Sequence, residues 1–196
     1  DAAALAAIRS RYGVAIESRF ETSSELGGDF WDVQPLDDQR FALMLVDFAG
    51  HGVGAALNTV RMHGLAVSLL DPALTPDAYV AALNRRLHPL LPMGQYATML
   101  YAVVDVARGV IAYTPAGCPA PFIAPPGAPA ERLAARGFAV GMIEDARYET
   151  IETPFPDGAA VLAYSDALFE TPLSPNGEPW GEDGLTQAVT EAAAAG

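Results

Sequence analysis

Three aspartates stand at positions where an acid is placed for chemistry. The run Phe41-Ala42-Leu43-Met44-Leu45-Val46 leads into Asp47, and a second apolar run, Ala159 to Tyr164, passes through Ser165 into Asp166. An acid at the exit of a fully buried strand is held on a rigid support at the rim of the core. Asp29 follows Gly27 and Gly28, a glycine pair that marks a turn or a close backbone approach. If the three strand ends share one edge, three carboxylates converge, and their repulsion costs several kcal/mol unless divalent cations sit among them. All-oxygen donors favour Mg²⁺ or Mn²⁺ over zinc. Two such ions about 3.5 to 4 Å apart bridge a phosphoryl oxygen and make hydroxide from bound water, so the chemistry implied is phosphoester hydrolysis. Gly50-His51-Gly52 follows Asp47 and precedes a helix, where glycines let the backbone approach an ion or phosphate closely. Taken singly, each of these features is also ordinary turn chemistry; only the combination points to a site.

The elements that must position these acids can be read from periodicity. Ala-rich residues 1–11 read as the tail of a helix arriving from upstream, and Val14, Ile16 and Phe20 then alternate as in a half-buried strand. Residues 30–33 and 40–46 read as two strands joined by a turn at Asp37-Asp38, the second apolar on both faces and hence central. A helix is expected from about Val53 to Leu70, and another after Thr75 as cap and Pro76 at its first position, running to about Leu87. Residues 98–106 and 110–114 form a hairpin by sequence, 122–124 a short strand, and 138–140, 148–151 and 159–164 further strand-like segments before a final helix from Gly181. Strands paired by short turns with two consecutive helices inserted early predict an α+β domain of antiparallel sheets with helices packed outside. Regular strand-helix alternation is missing, against a doubly wound nucleotide fold.

Composition narrows the function. The 196 residues carry 11 Lys+Arg, all of them arginine, against 24 Asp+Glu, a net charge of −13. Such a balance excludes a domain that grips many phosphates, so neither nucleic acid nor an anionic membrane is expected as a partner. The acidity suggests instead a partner with a basic patch. With 51% apolar and 18% charged residues the chain can bury one domain's core. No apolar run approaches the roughly 18 to 20 residues that span a bilayer, and the start lacks a signal-peptide layout. The single cysteine, Cys118, rules out an internal disulfide framework, so a cytoplasmic setting is expected. A first residue that is not Met, and a C-terminus without a closing strand, suggest part of a longer polypeptide.

Four segments resemble, in order and spacing, the metal-dependent PPM (PP2C-like) protein phosphatases of the bacterial sporulation stage II protein E type. They are Leu26-Gly27-Gly28-Asp29-Phe30-Trp31-Asp32, the stretch from Asp47 to Leu57, Ala116-Gly117-Cys118-Pro119-Ala120-Pro121, and Tyr164-Ser165-Asp166-Ala167-Leu168-Phe169-Glu170. The resemblance covers residues 12–190 and implies a sandwich of two antiparallel sheets with helices outside and two Mn²⁺ or Mg²⁺ ions at one edge. It further implies that Asp47 bridges both metals, that the Phe48 carbonyl binds one, that Asp29 and Asp166 are further ligands, and that a metal-bridging water attacks a phosphoserine or phosphothreonine. Asp32, Gly50, His51 and Gly52 are given supporting places. By resemblance, the substrate is a phosphorylated regulatory protein such as an anti-sigma-factor antagonist. Residues 1–11 then connect an upstream sensor or receiver domain to a phosphatase domain at 12–196, and a homodimer is left open.

The chain departs from the family at three points. Ala167 replaces the usual glycine after the penultimate-strand aspartate, Cys118 replaces a histidine, and the Asp-Asp pair that precedes the family's last strand has no counterpart; Asp183 is not promoted to ligand. These departures keep a second reading in play, a phosphatase-fold adaptor that binds without turnover. Cys118 as a nucleophile lacks an anion-cradling loop. His63 and His88, on different helices, define no metal site. Gly27-Gly28-Asp29-Phe30 also resembles the diguanylate cyclase signature, but a cyclase needs that signature on a hairpin turn and leaves Asp47 unexplained.

Overall fold

The computed structural model describes residues 2–20, 27–50, 52–170, 172 and 177–195. Two antiparallel sheets face each other, with helices on the outside. The larger has strand order β1 (Phe30–Pro35), β2 (Arg40–Phe48), β3 (Ala97–Asp105), β4 (Val110–Ala116) and β7 (Ile151–Pro154). The smaller has order β6 (Glu131–Arg132), β5 (Phe122–Ala124) and β8 (Ala160–Leu162). Five helices accompany them among the described residues: α1 (Ala2–Tyr12), α2 (Val53–Ser68), α3 (Pro76–Leu87), α4 (Ala167–Glu170) and α5 (Gly181–Ala195). The expected sandwich with helices outside is what forms.

Strand β2 shows why. Its even positions, Ala42, Met44, Val46 and Phe48, pack with Met62, Ala66, Tyr79, Leu83 and Leu87 of α2 and α3. From its odd positions, Phe41 and Leu45 join Val33, Leu100 and Tyr113 in the layer between the sheets, where Val161 and Ala163 approach from the β8 segment. Apolar residues on both faces thus serve two core layers, each fully buried Leu or Phe contributing about 1.5 to 3 kcal/mol. Leu185 of α5 closes a third cluster with Phe122 and Tyr164. Buried polar groups are tied down: Asn84 on α3 accepts from the Gly141 amide at 2.7 Å and donates to the Ile143 and Glu144 carbonyls at 2.9 and 2.8 Å.

Two expectations are corrected and one is extended. Residues 13–20 form no strand; Val14 and Ile16 do tuck against the inter-sheet core, so the alternation records burial without backbone pairing. Strand β8 is an edge strand whose ends are exposed, not a fully buried one. Helix α1 does more than connect: Ile8 and Tyr12 are buried, Tyr12 donates to the Asp37 carbonyl at 2.6 Å, and its ring lies 5.1 Å from that of Phe41. Among the described residues, no helix is long and apolar enough to cross a membrane.

Candidate metal centre

Strand register brings the first two acids together. In the β1–β2 pair Phe30 faces Val46 and Asp32 faces Met44. One step further along the same register, Asp29 comes opposite Asp47, and the Phe48 amide donating to the Gly28 carbonyl at 3.4 Å shows that the pairing continues that far. Directly opposed residues in an antiparallel pair project to one face. That face is the inter-sheet one, shared with Trp31 and Leu45. Asp166 arrives from the other sheet, in the turn after β8, where its carbonyl accepts the Phe169 and Glu170 amides at 3.0 Å and starts α4.

The three acids meet at Asp47. Burial is the largest influence on its carboxyl, followed by hydrogen-bonding contact with Asp29 and the Asp29 charge, then the charge and contact of Asp166; together they push it up from the ordinary carboxylate value to about 8. Among the described residues no arginine or histidine is paired with any of the three, and no three His, Cys, Asp or Glu side chains close into a ready-made ligand cage. The aspartates are gathered around Asp47 without being closed. An all-carboxylate donor set with this proton affinity needs a proton or a cation, and it fits a hard divalent ion.

The backbone is shaped for the same purpose. A side chain at Gly28 would place Cβ 3.1 Å from the Phe48 carbonyl oxygen and 3.3 Å from the Ala55 Cβ, so glycine here lets the chain entering β1 approach β2 and α2 without displacing either. The Gly28 carbonyl also accepts the Thr59 hydroxyl of α2 at 2.9 Å. Gly50 and Gly52 have φ of 100° and 85°, left-handed values that let the chain turn from β2 straight into α2. Gly52 caps that helix without a side-chain bond, and its first turn holds no acid. His51 lies outside the described residues.

Asp32 is not with the others. It occupies the opposite face of β1, its carboxylate accepting the Val33 amide and the Gln34 side-chain amide at 2.8 Å each, with His63 of α2 at 3.7 Å. The supporting place expected for it is therefore corrected: three residues beyond Asp29 in a strand means the other face. His88 donates its Nδ1–H to the Gly141 carbonyl at 2.8 Å, a structural contact. Burial pushes the Cys118 thiol up to about 11, which leaves it protonated and unsuited to attack. Ala167 is exposed at the start of α4, and no non-glycine described residue has positive φ, so its methyl is accommodated without strain. Asp183 sits in the first turn of α5 beside Glu182, which pairs with Arg132 at 2.9 Å. The Gly27-Gly28-Asp29 segment enters β1 rather than turning a hairpin, against the cyclase signature. One residue escaped sequence reading: Thr98 pairs with Asp47 on β3, extending the row Asp29, Asp47, Thr98 across three strands. Only the register reveals it.

Comparison with known proteins agrees with this fold. The family model for stage II sporulation protein E (SpoIIE) matches residues 37–196. The phosphoserine phosphatase RsbP of Bacillus subtilis (strain 168) is 29% identical over 165 residues, 82% of this chain and 41% of RsbP. The RsbU and RsbW domains of Rv1364c from Mycobacterium tuberculosis superpose with a TM-score of 0.72 at 26% identity, covering 88% of this chain and 46% of that one. The SiaA-PP2C domain of Pseudomonas aeruginosa gives 0.73 at 20% identity, covering 86% and 66%. The chain thus spans less than half the length of RsbP.

Proposed function

Because the chain belongs to the stage II sporulation protein E (SpoIIE) family, we propose that it is a metal-dependent phosphatase removing phosphate from phosphoserine or phosphothreonine on a regulatory protein. The observation that carries this is Asp47, held between Asp29 and Asp166 with its proton affinity raised by burial and by their charges. Asp29, Asp47 and Asp166, with the Phe48 carbonyl, would hold Mn²⁺ or Mg²⁺. When bound, the ions supply Lewis-acid stabilisation of the phosphoryl oxygens and acidify a water. The chain's own part is to hold these oxygens on two rigid supports, a strand pair and the α4 turn, so that little reorganisation is needed at reaction. The first turn of α2, which begins six residues beyond Asp47 and has no side-chain cap, leaves amide donors for a phosphate.

The kinship with RsbP supports a place in sigma-factor regulation, with an anti-sigma-factor antagonist as substrate and an upstream sensor or receiver domain in the same cytoplasmic polypeptide gating it. A homodimer suits such gating. The test is phosphate release from p-nitrophenyl phosphate and from a phosphoserine peptide with Mn²⁺. Turnover that Asp47→Asn reduces by about a thousandfold, the scale of losing a principal electrostatic group, supports the proposal. No turnover, with partner binding indifferent to metal and to Asp47→Asn, would make the chain an adaptor on a phosphatase fold.

A further inference from the structure

The net charge of −13 is not spread evenly. Between Asp47 and Asp105 the only carboxylates are Asp71 and Asp77, against Arg61, Arg85 and Arg86. Both aspartates sit at the α2–α3 connection and are occupied there, Asp71 by the Ala73 amide and Asp77 by the Thr150 hydroxyl. Arg85 and Arg86 lie at the other end of α3, and Arg61 midway along α2. Arg85 and Arg86 are exposed on the last turn of α3, paired with no carboxylate among the described residues, and Arg61 donates to Asn58 and to the Leu90 carbonyl. Four of the remaining arginines, by contrast, are ion-paired.

The same helix pair exposes large apolar side chains. Along α2, Val53, Leu57 and Val60 are 64%, 55% and 70% exposed, spaced four and three residues apart as in a helix-packing seam, and Leu90 and Met93, 49% and 104% exposed, lie in the loop whose Leu90 carbonyl and Gln95 side chain are hydrogen-bonded to α2. This surface adjoins the carboxylate cluster. Asn58 is hydrogen-bonded to Gln95, and the Ala49 amide, two residues beyond Asp47, donates to the Tyr96 carbonyl at 2.9 Å, so one loop ties the seam to the turn that carries the site.

We propose that this face of the helix pair, with Leu57, Val60 and Met93 exposed on it and Arg61, Arg85 and Arg86 as its charges, docks the phosphorylated protein substrate, and that it selects an acidic, amphipathic element next to the phosphoserine. The proposal rests on the phosphatase function inferred above. Charge decides the occupant. An isologous pairing of two copies would set these carboxylate-free, arginine-bearing faces against each other, whereas an acidic partner gains attraction over the same apolar contact. The basic-patch partner suggested by net charge is thus inverted for this surface.

Two synthetic amphipathic phosphoserine peptides test it, about five helical turns long, with identical apolar residues and either Asp/Glu or Lys at the polar positions; p-nitrophenyl phosphate serves as the small substrate. At low salt, kcat/KM for the acidic peptide is expected to exceed that for the lysine peptide by about tenfold or more. The combined variant Arg61→Glu, Arg85→Glu, Arg86→Glu should erase that ratio and leave p-nitrophenyl phosphate turnover unchanged. Equal rates for the two peptides, or a ratio that survives in the variant, overturn the proposal. So does a Val60→Glu variant that shifts the sedimentation coefficient yet keeps the ratio, since a second copy then covers the face. If the parent chain fails to hydrolyse p-nitrophenyl phosphate, it is the phosphatase function that falls. The face is then tested by fluorescence anisotropy of the unphosphorylated acidic peptide: binding lost in the arginine variant supports docking, and equal binding overturns it.

Discussion

Gly28 lies so close to Phe48 that a methyl group added to it would stand 3.1 Å from the Phe48 carbonyl oxygen, the backbone group proposed to face a metal. The contact joins the strand carrying Asp29 to the strand carrying Asp47, so its tightness sets how near the two acids come.

Gly28→Ala must therefore push β1 away from β2 or from Ala55 on α2. We expect a loss of about 1 to 3 kcal/mol in urea unfolding, from overpacking, together with weaker Mn²⁺ binding. Gly54→Ala is the control. It sits in the first turn of α2, where an added methyl group would meet nothing within 4 Å, and should be neutral or stabilising by up to about 1 kcal/mol.

Stability of the metal-free chain should fall as pH rises. The folded-state pKa of Asp47 is raised, so the folded chain holds a proton that the unfolded chain releases near the ordinary carboxylate value. Between about pH 4 and pH 8 ionisation then favours unfolding, and thermal melts should show Tm declining across that window. Asp47→Asn should flatten the decline. Mn²⁺ should raise Tm of the parent chain more at about pH 8 than at about pH 5, and a Tm that climbs with pH in the metal-free parent would contradict the carboxylate contact.

Much of the fold could be read without coordinates because its signals are local. The Asp37-Asp38 turn, the Thr75-Pro76 helix start and the two-faced apolar run of β2 each act through neighbours in sequence, and each forms as expected. The site was half legible. Asp47 and Asp166 follow apolar strands and Asp29 follows glycines, which marks all three, but their meeting depends on register and on two sheets approaching. The same long-range pairing hid Thr98 and set Asp32 on the wrong face, because a strand reverses its side chains at every step. Residues 13–20 alternate like a strand yet form none, so burial mimicked secondary structure.

Asn84 gave no sequence signal at all, being one polar residue inside an amphipathic helix. It is fully buried and makes three hydrogen bonds to residues 141–144, which fold over the end of α3. Asn84→Leu leaves the buried Gly141 amide without its partner, while the Ile143 carbonyl keeps the Ala146 amide, and should cost about 1 to 3 kcal/mol by chemical denaturation. A cost below about 1 kcal/mol would mean that this turn holds without the clamp.

Isothermal titration of Mn²⁺ into the chain, repeated in two buffers of different ionisation enthalpy at about pH 7, measures both binding and the protons it displaces. The expected result is saturable binding with proton release in the parent chain, and loss of both in Asp47→Asn. Mn²⁺ binding that is absent from the parent, or equally strong with Asp29, Asp47 and Asp166 all replaced by Asn, would contradict a cation site built on these three carboxylates.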